Sequence, residues 1–202
     1  MAMWLLIPVK RLEQAKSRLA PAMPPAARIR LAWRLVCRTF RVVRQVPEVR
    51  PLVVSADRRV RALARRMGWP VVLDRWEDLN RALAEARQVA VHHGAEALAV
   101  LPIDLPGLRA EALWDLLAAG FPDRGLVLVP DRHGHGTNAL LVRPPEAIAF
   151  CFGPGSLAAF QRQAAALGLP VRLFPHPDLS WDLDTPADWA AWRARAAADV
   201  PR

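Results

Sequence analysis

Short apolar runs alternate with longer amphipathic stretches along this chain. The pattern predicts strands over residues 4–9, 52–55, 71–73, 97–101, 126–129, 139–142 and 171–174, with a short one near Leu183. Several are near-continuous apolar runs bounded by Pro, Asp or Gly. Strands buried on both faces of a mostly parallel sheet read this way. Between them, Ile29, Trp33, Val36, Phe40 and Val43 recur at steps of four and three and predict a helix over 27–46. Arg30, Arg34, Arg38 and Arg41 form another face of it. Further helices are predicted over 58–67, 79–92, 110–118, 157–167 and 186–197. Gly68 and Gly94 are stop signals for two of these. Ser156 reads as an N-cap, as does Thr185 ahead of Pro186. Repeated strand–helix alternation implies a doubly wound α/β fold of three layers, in a single domain over residues 1–202.

Composition supports that picture. A chain of 202 residues, 53% hydrophobic and 23% charged, is of globular type and long enough for a sizeable core. No apolar run approaches the roughly 18 residues of a membrane span. The apolar start is followed by charge, with no small-residue cleavage site, so it reads as a first strand and a cytoplasmic location is expected. Cys37 and Cys151 stand far apart in apolar settings without metal-ligand spacing, and are expected to be buried small hydrophobes.

Charge adds a candidate chemistry. The net charge is +9, and of 28 basic residues only Lys10 and Lys16 are lysines. Such a surface attracts anions without distinguishing a nucleotide from a nucleic acid. The arginine stripe of the first helix lacks interleaved aromatics for stacking bases, so a solvated face is its default reading.

Ligands of doubly wound sheets bind where loops leave the carboxyl ends of the strands. After the first strand, four cations (Lys10, Arg11, Lys16 and Arg18) fall within nine residues, with Ser17 among them. They could hold phosphates or form a solvated basic loop; the glycines of a Walker loop are missing. Asp104 follows the strand over 97–101, between Pro102 and Pro106, as a metal ligand or a capping residue. Asp182 and Asp184 form a DxD whose carboxylates share one side if extended, and could complete a magnesium site with Asp104. Gly134, Gly136, Thr137 and Asn138 make an anion-binding loop plausible, whereas His133 and His135 alone are poor zinc evidence. Gly153 and Ser156 precede a helix whose N-terminus suits a phosphate. Asn80, at a helix start, could read a base or ribose, or be simple surface polarity.

With these motifs in order, the chain resembles the 2-phospho-L-lactate/phosphoenolpyruvate guanylyltransferases of coenzyme F-420 biosynthesis. The matching stretches are IPVKRLEQAKSRL, LNRAL, LPIDLP, PDRHGHGTNALL, FGPGS and DLDTPADW. The resemblance implies a nucleotide-diphosphosugar-transferase-like fold and transfer of GMP from GTP, with magnesium, to a phosphorylated three-carbon acid. It implies that Lys10, Lys16, Ser17, Arg18 and Asn80 face the nucleotide, and that Lys10, Lys16, Arg18 and Asp104 carry the chemistry. Thr137, Gly153 and Ser156 would hold the acceptor, and Asp104, Asp182 and Asp184 the metal. The partners implied are GTP and a small phosphorylated acid, with neither a membrane nor a specific nucleic acid. His135 stands where the family more often has a small hydroxyl residue, and Asp78 where a glycine often precedes the LN pair. The alternatives are a related nucleotidyltransferase with another phosphorylated acceptor, or a basic module that binds nucleic acid through the arginine stripe.

Overall fold

The computed structural model describes residues 2–198. Seven strands form one sheet: β1 (Met3–Val9), β2 (Val49–Ser55), β3 (Val71–Val72), β4 (Ala97–Val100), β5 (Gly125–Pro130), β6 (Thr137–Arg143) and β7 (Val171–Leu173). Their order is β3-β2-β1-β4-β6-β5-β7. β6 alone runs antiparallel to its neighbours, β4 and β5. The helices are α1 (Pro25–Val43), α2 (Arg58–Arg66), α3 (Leu79–His92), α4 (Ala110–Ala118), α5 (Ser156–Ala166) and α6 (Pro186–Ala198).

Strand alternation builds the three layers. Met3, Leu5, Ile7 and Val9 of β1 pack on one face with Val36 and Phe40 of α1, Val60 of α2 and Leu113 of α4. Trp4 and Leu6 point the other way, into a second core with Leu83 of α3 and Phe160 of α5. The strands β4, β5 and β6 divide their side chains between the two cores in the same way. Strands covered on both sides need apolar residues at every position, hence their continuous apolar runs.

Two local expectations are corrected. No strand forms near Leu183; its N–H makes one main-chain bond to Asp104 O at 3.0 Å, which lashes the DxD segment to the end of β4 without a ladder. The residue before α5 with non-helical geometry is Gly155, at φ 69°, so Ser156 is the first helical residue and Gly155 the cap. The Thr185 signal is met in full. Its hydroxyl accepts from Asp188 N at 3.2 Å, while the Asp188 carboxylate accepts from Thr185 N at 2.6 Å, a reciprocal capping box. No described helix is long and apolar enough to cross a membrane.

Candidate active site

From β1 the chain winds outward through β2 and β3, then returns to place β4 on the other side of β1. The loops after β1 and β4 therefore diverge, and a crevice opens at this switch point. A cleft of about 750 Å³ lies there. Lys10, Lys16, Ser17 and Arg18 line it with Asp104 and Asp184, and residues 74–77 after β3 form a further wall.

Lys16 sits at the centre of this arrangement. Its side chain is only 5% exposed, and its ammonium lies 3.0 Å from Asp184 Oδ1 and 3.3 Å from Asp104 Oδ2. Three segments remote in sequence are thereby joined. Burial works to lower the Lys16 pKa, but the charges and hydrogen bonds of Asp104 and Asp184 outweigh it and hold it above the ordinary lysine value. Lys16 also adopts a left-handed backbone, φ 56° and ψ 35°, the only non-glycine among the described residues at positive φ. Side chains resist that conformation by roughly 1–2 kcal/mol. The turn aims the ammonium inward while Arg18, largely exposed, stays 3.9 Å from Asp184. Lys10 and Ser17 are exposed on the cleft wall.

Asp182 completes the acidic group. Burial pushes its carboxyl above the ordinary range, and the nearby charges of Asp104 and Asp184 push it further. Three hard oxygen donors with a surplus of negative charge fit the chemistry of magnesium, which takes one or two carboxylates plus substrate phosphates. Among the described residues, however, no three acidic, His or Cys side chains are arranged as a ready metal centre. Asp104 and Asp184 are drawn instead around the Lys16 ammonium, which stands where a cation would be shared.

Thr137, Gly153 and Ser156 stand outside the cleft lining, toward β6 and α5. Leu140 of β6 pairs with Val100 of β4, so Thr137, three residues earlier, reaches past the end of β4 toward the level of Asp104. Leu157 N donates to His135 O at 3.3 Å and holds the start of α5 against the loop before β6. The Thr137 hydroxyl is buried with no hydrogen-bond partner. Asn80 does not line the cleft: its amide donates to Phe152 O at 3.0 Å and accepts from Phe152 N at 2.8 Å. It fastens the 152–155 turn to α3. Asp78 caps α3 by accepting from Arg81 N at 3.0 Å.

The sequence reading missed two organising carboxylates. Asp131 accepts from the main-chain N–H groups of His133 and His135, at 3.1 and 2.9 Å. A Cβ at Gly136 would come within 2.8 Å of the Asp131 carboxylate, which is why that position is bare. The histidines thus bracket a turn wrapped on Asp131, with their side chains exposed. Arg132 ties the same loop to Asp188 and lies over the Trp181 ring at 4.9 Å. The second carboxylate, Asp57, caps α2 through Arg59 N at 2.8 Å and also accepts from Leu12 N at 3.1 Å. It is what anchors the basic loop. An acid before a helical run is a visible cap signal; the contact with Leu12, 45 residues away, is not.

Known proteins resemble this chain in sequence and in fold. Residues 3–191 match the family model described as guanylyl transferase CofC like. The chain belongs to that family. The phosphoenolpyruvate guanylyltransferase of Sphaerobacter thermophilus is 42% identical over 186 residues, covering 91% of this chain and 88% of the relative. That of Chloroflexus aggregans is 42% identical over 205 residues, covering 98% of each. Among solved structures, a protein assigned as a nucleotide-diphospho-sugar transferase, from Desulfovibrio desulfuricans G20, superposes with TM-score 0.73 at 16% identity, covering 98% of this chain and 96% of that one. A CMP:2-keto-3-deoxy-manno-octonic acid synthetase does so with TM-score 0.64 at 15% identity, covering 99% and 100%. These two show the fold. As a member of the CofC-like family, the protein is a nucleotidyltransferase.

Two outcomes test the supporting residues. Burial pushes the Asp57 carboxyl up, but hydrogen bonds from Arg59, Leu12 and Val60 outweigh it and hold it below the ordinary range. A carboxyl lowered in the folded state stabilises above its unfolded pKa and loses that contribution as pH falls through the folded value. Asp57→Asn is therefore expected to cost about 2 kcal/mol at neutral pH. In denaturant titrations the gap from wild type should shrink below pH ~4; a gap independent of pH contradicts the assignment. Thr137→Val, which removes a buried hydroxyl that has no partner, should leave the unfolding midpoint unchanged or raise it. A clear loss of stability would mean that the hydroxyl already has a structural role.

Proposed function

We propose that the protein transfers GMP from GTP to phosphoenolpyruvate or 2-phospho-L-lactate in the cytoplasm, releasing pyrophosphate, as a step toward coenzyme F-420. The observation that carries this reading is the buried Lys16 held between Asp104 and Asp184 at the sheet's switch point. It assembles cations for a triphosphate and carboxylates for its metal in one cleft. The names of the relatives favour phosphoenolpyruvate as the first acceptor to assay.

A phosphate oxygen of the acceptor attacks the α-phosphorus of GTP. The new P–O bond forms as the bond to the α–β bridging oxygen breaks, and pyrophosphate leaves with that electron pair. The nucleophile is already an anion, so no strong base is needed, and catalysis rests on alignment and charge neutralisation. Lys10, Lys16 and Arg18 face the triphosphate and offset charge on the leaving group, with Ser17 beside them as a hydroxyl donor. Asp104, Asp182 and Asp184 would hold magnesium, which supplies charge neutralisation on the nucleotide's phosphates. Thr137, Gly153 and Ser156 receive the acceptor, whose phosphate gives the unpartnered Thr137 hydroxyl its hydrogen bond. Asn80 serves this side by fixing the turn at Phe152, in place of contacting the nucleotide.

Pyrophosphate release from GTP and magnesium should depend on one of the two acceptors; no acceptor-dependent release with either would sink the reading. Asp104→Asn should lower turnover by ~10² or more without unfolding the protein, and near-normal turnover removes Asp104 from the site. Asparagine tolerates a left-handed backbone. Lys16→Asn therefore removes the charge while keeping the turn, and a comparable loss is expected.

A further inference from the structure

We infer that Trp76 and Glu77 form the base subsite, with the Trp76 indole stacking on the purine and the Glu77 carboxylate accepting from N1–H and the N2 amine of guanine. The inference rests on GTP being the donor. It begins from sheet order. The loop with Lys16 follows β1, and the carboxylates lie on the β4 side of it, with Thr137 beyond them on β6. A nucleotide whose α-phosphate meets the acceptor on that side must extend its base the other way, across β2 toward β3. The segment that leaves β3 and lines the cleft there is residues 74–77.

Trp76 is 38% exposed on that wall, yet it is engaged by three contacts. Its Nε1 donates to Glu85 at 2.8 Å, its main-chain N donates to Asp74 Oδ1 at 2.9 Å, and the Arg81 guanidinium lies 3.8 Å from its ring centre. Two helical side chains and a turn thus fix an aromatic surface at the cleft, as a stacking platform requires. Glu77 follows it. In a chain of net charge +9, it is exposed beside that cleft with no hydrogen-bond or ion-pair partner among the described residues. Asp74 is already engaged by Trp76, and the Asn80 amide by Phe152. Glu77 is the carboxylate on this wall that none of these contacts takes up, and we assign the base to it.

The chemistry then selects guanine. Its Watson–Crick edge offers two adjacent N–H donors, which one carboxylate accepts together through charge-assisted bonds. Adenine offers an unprotonated N1 at the same place, an acceptor facing an anion. Hypoxanthine keeps N1–H and lacks the N2 amine. Sites built to pair a donor reject the analogue that lacks it.

Titration calorimetry with GTP, ITP and ATP, each with magnesium and no acceptor, tests this directly. Wild type should prefer GTP over ITP by about tenfold and over ATP by more. Glu77→Ala, at an exposed position, should bring GTP and ITP within about twofold of each other. Trp76→Leu should weaken all three by about tenfold and keep their order. A GTP-over-ITP preference that survives Glu77→Ala, or affinities unmoved by Trp76→Leu, overturns the subsite. Acceptor-dependent turnover is read separately. Normal pyrophosphate release with an unaltered base preference in Glu77→Ala keeps the transferase and removes this subsite. Loss of preference in a protein that never releases pyrophosphate does the reverse.

Discussion

The site depends on one buried ion pair network. Lys16 is removed from water, and an unpaired ammonium there would cost several kcal/mol. Asp104 and Asp184 make its burial tolerable by supplying charge from two other segments. The pairing also compensates for the left-handed backbone at Lys16, where a glycine is the usual occupant. Other nucleotide-binding loops use glycine to turn sharply and let main-chain N–H groups approach phosphate. Here a lysine makes the turn, and its side chain runs inward to Asp104 and Asp184. Such a loop cannot hold itself: Asp57 holds its start through Leu12, and Arg28 donates to Lys16 O from α1 at 3.4 Å.

Charge is distributed along the carboxyl edge of the sheet in the order that phosphoryl chemistry needs. Cations stand on the loop after β1, and carboxylates at the end of β4 and in the segment before α6. Beyond them, the 131–138 loop carries a buried, unpartnered hydroxyl at Thr137. These groups are not independent. Arg132 clamps the 131–138 loop to Asp188, the same carboxylate that closes the capping box of α6 four residues after Asp184. Leu183 N fastens the DxD itself to Asp104 O. The side expected to receive the acceptor and the carboxylates that would hold the metal are therefore one mechanical unit, set against the basic loop through Lys16.

Much of this was legible in the sequence, for identifiable reasons. Apolar runs such as Leu126–Val129 and Ala97–Val100 are continuous because both faces of the sheet are covered, so strands and layers followed from pattern alone. The clustering of both lysines in one loop, and Asp104 after the end of β4, pointed to residues that line the cleft. What stayed hidden was side-chain pairing across long separations. Nothing local distinguishes Asp57 or Asp131 from an ordinary cap or turn residue, nor shows that Asn80 is taken up by Phe152, 72 positions away. The short strand expected near Leu183 does not form, because a single main-chain bond to Asp104 holds the segment without a strand ladder.

The most direct test of the account is a crystal structure with a non-hydrolysable GTP analogue and magnesium. The account predicts the triphosphate along residues 10–18, the Lys16 ammonium within hydrogen-bonding distance of a phosphate oxygen, and the α-phosphate beside Asp104. A nucleotide bound away from this cleft, with Lys16 still closed between Asp104 and Asp184, would contradict it.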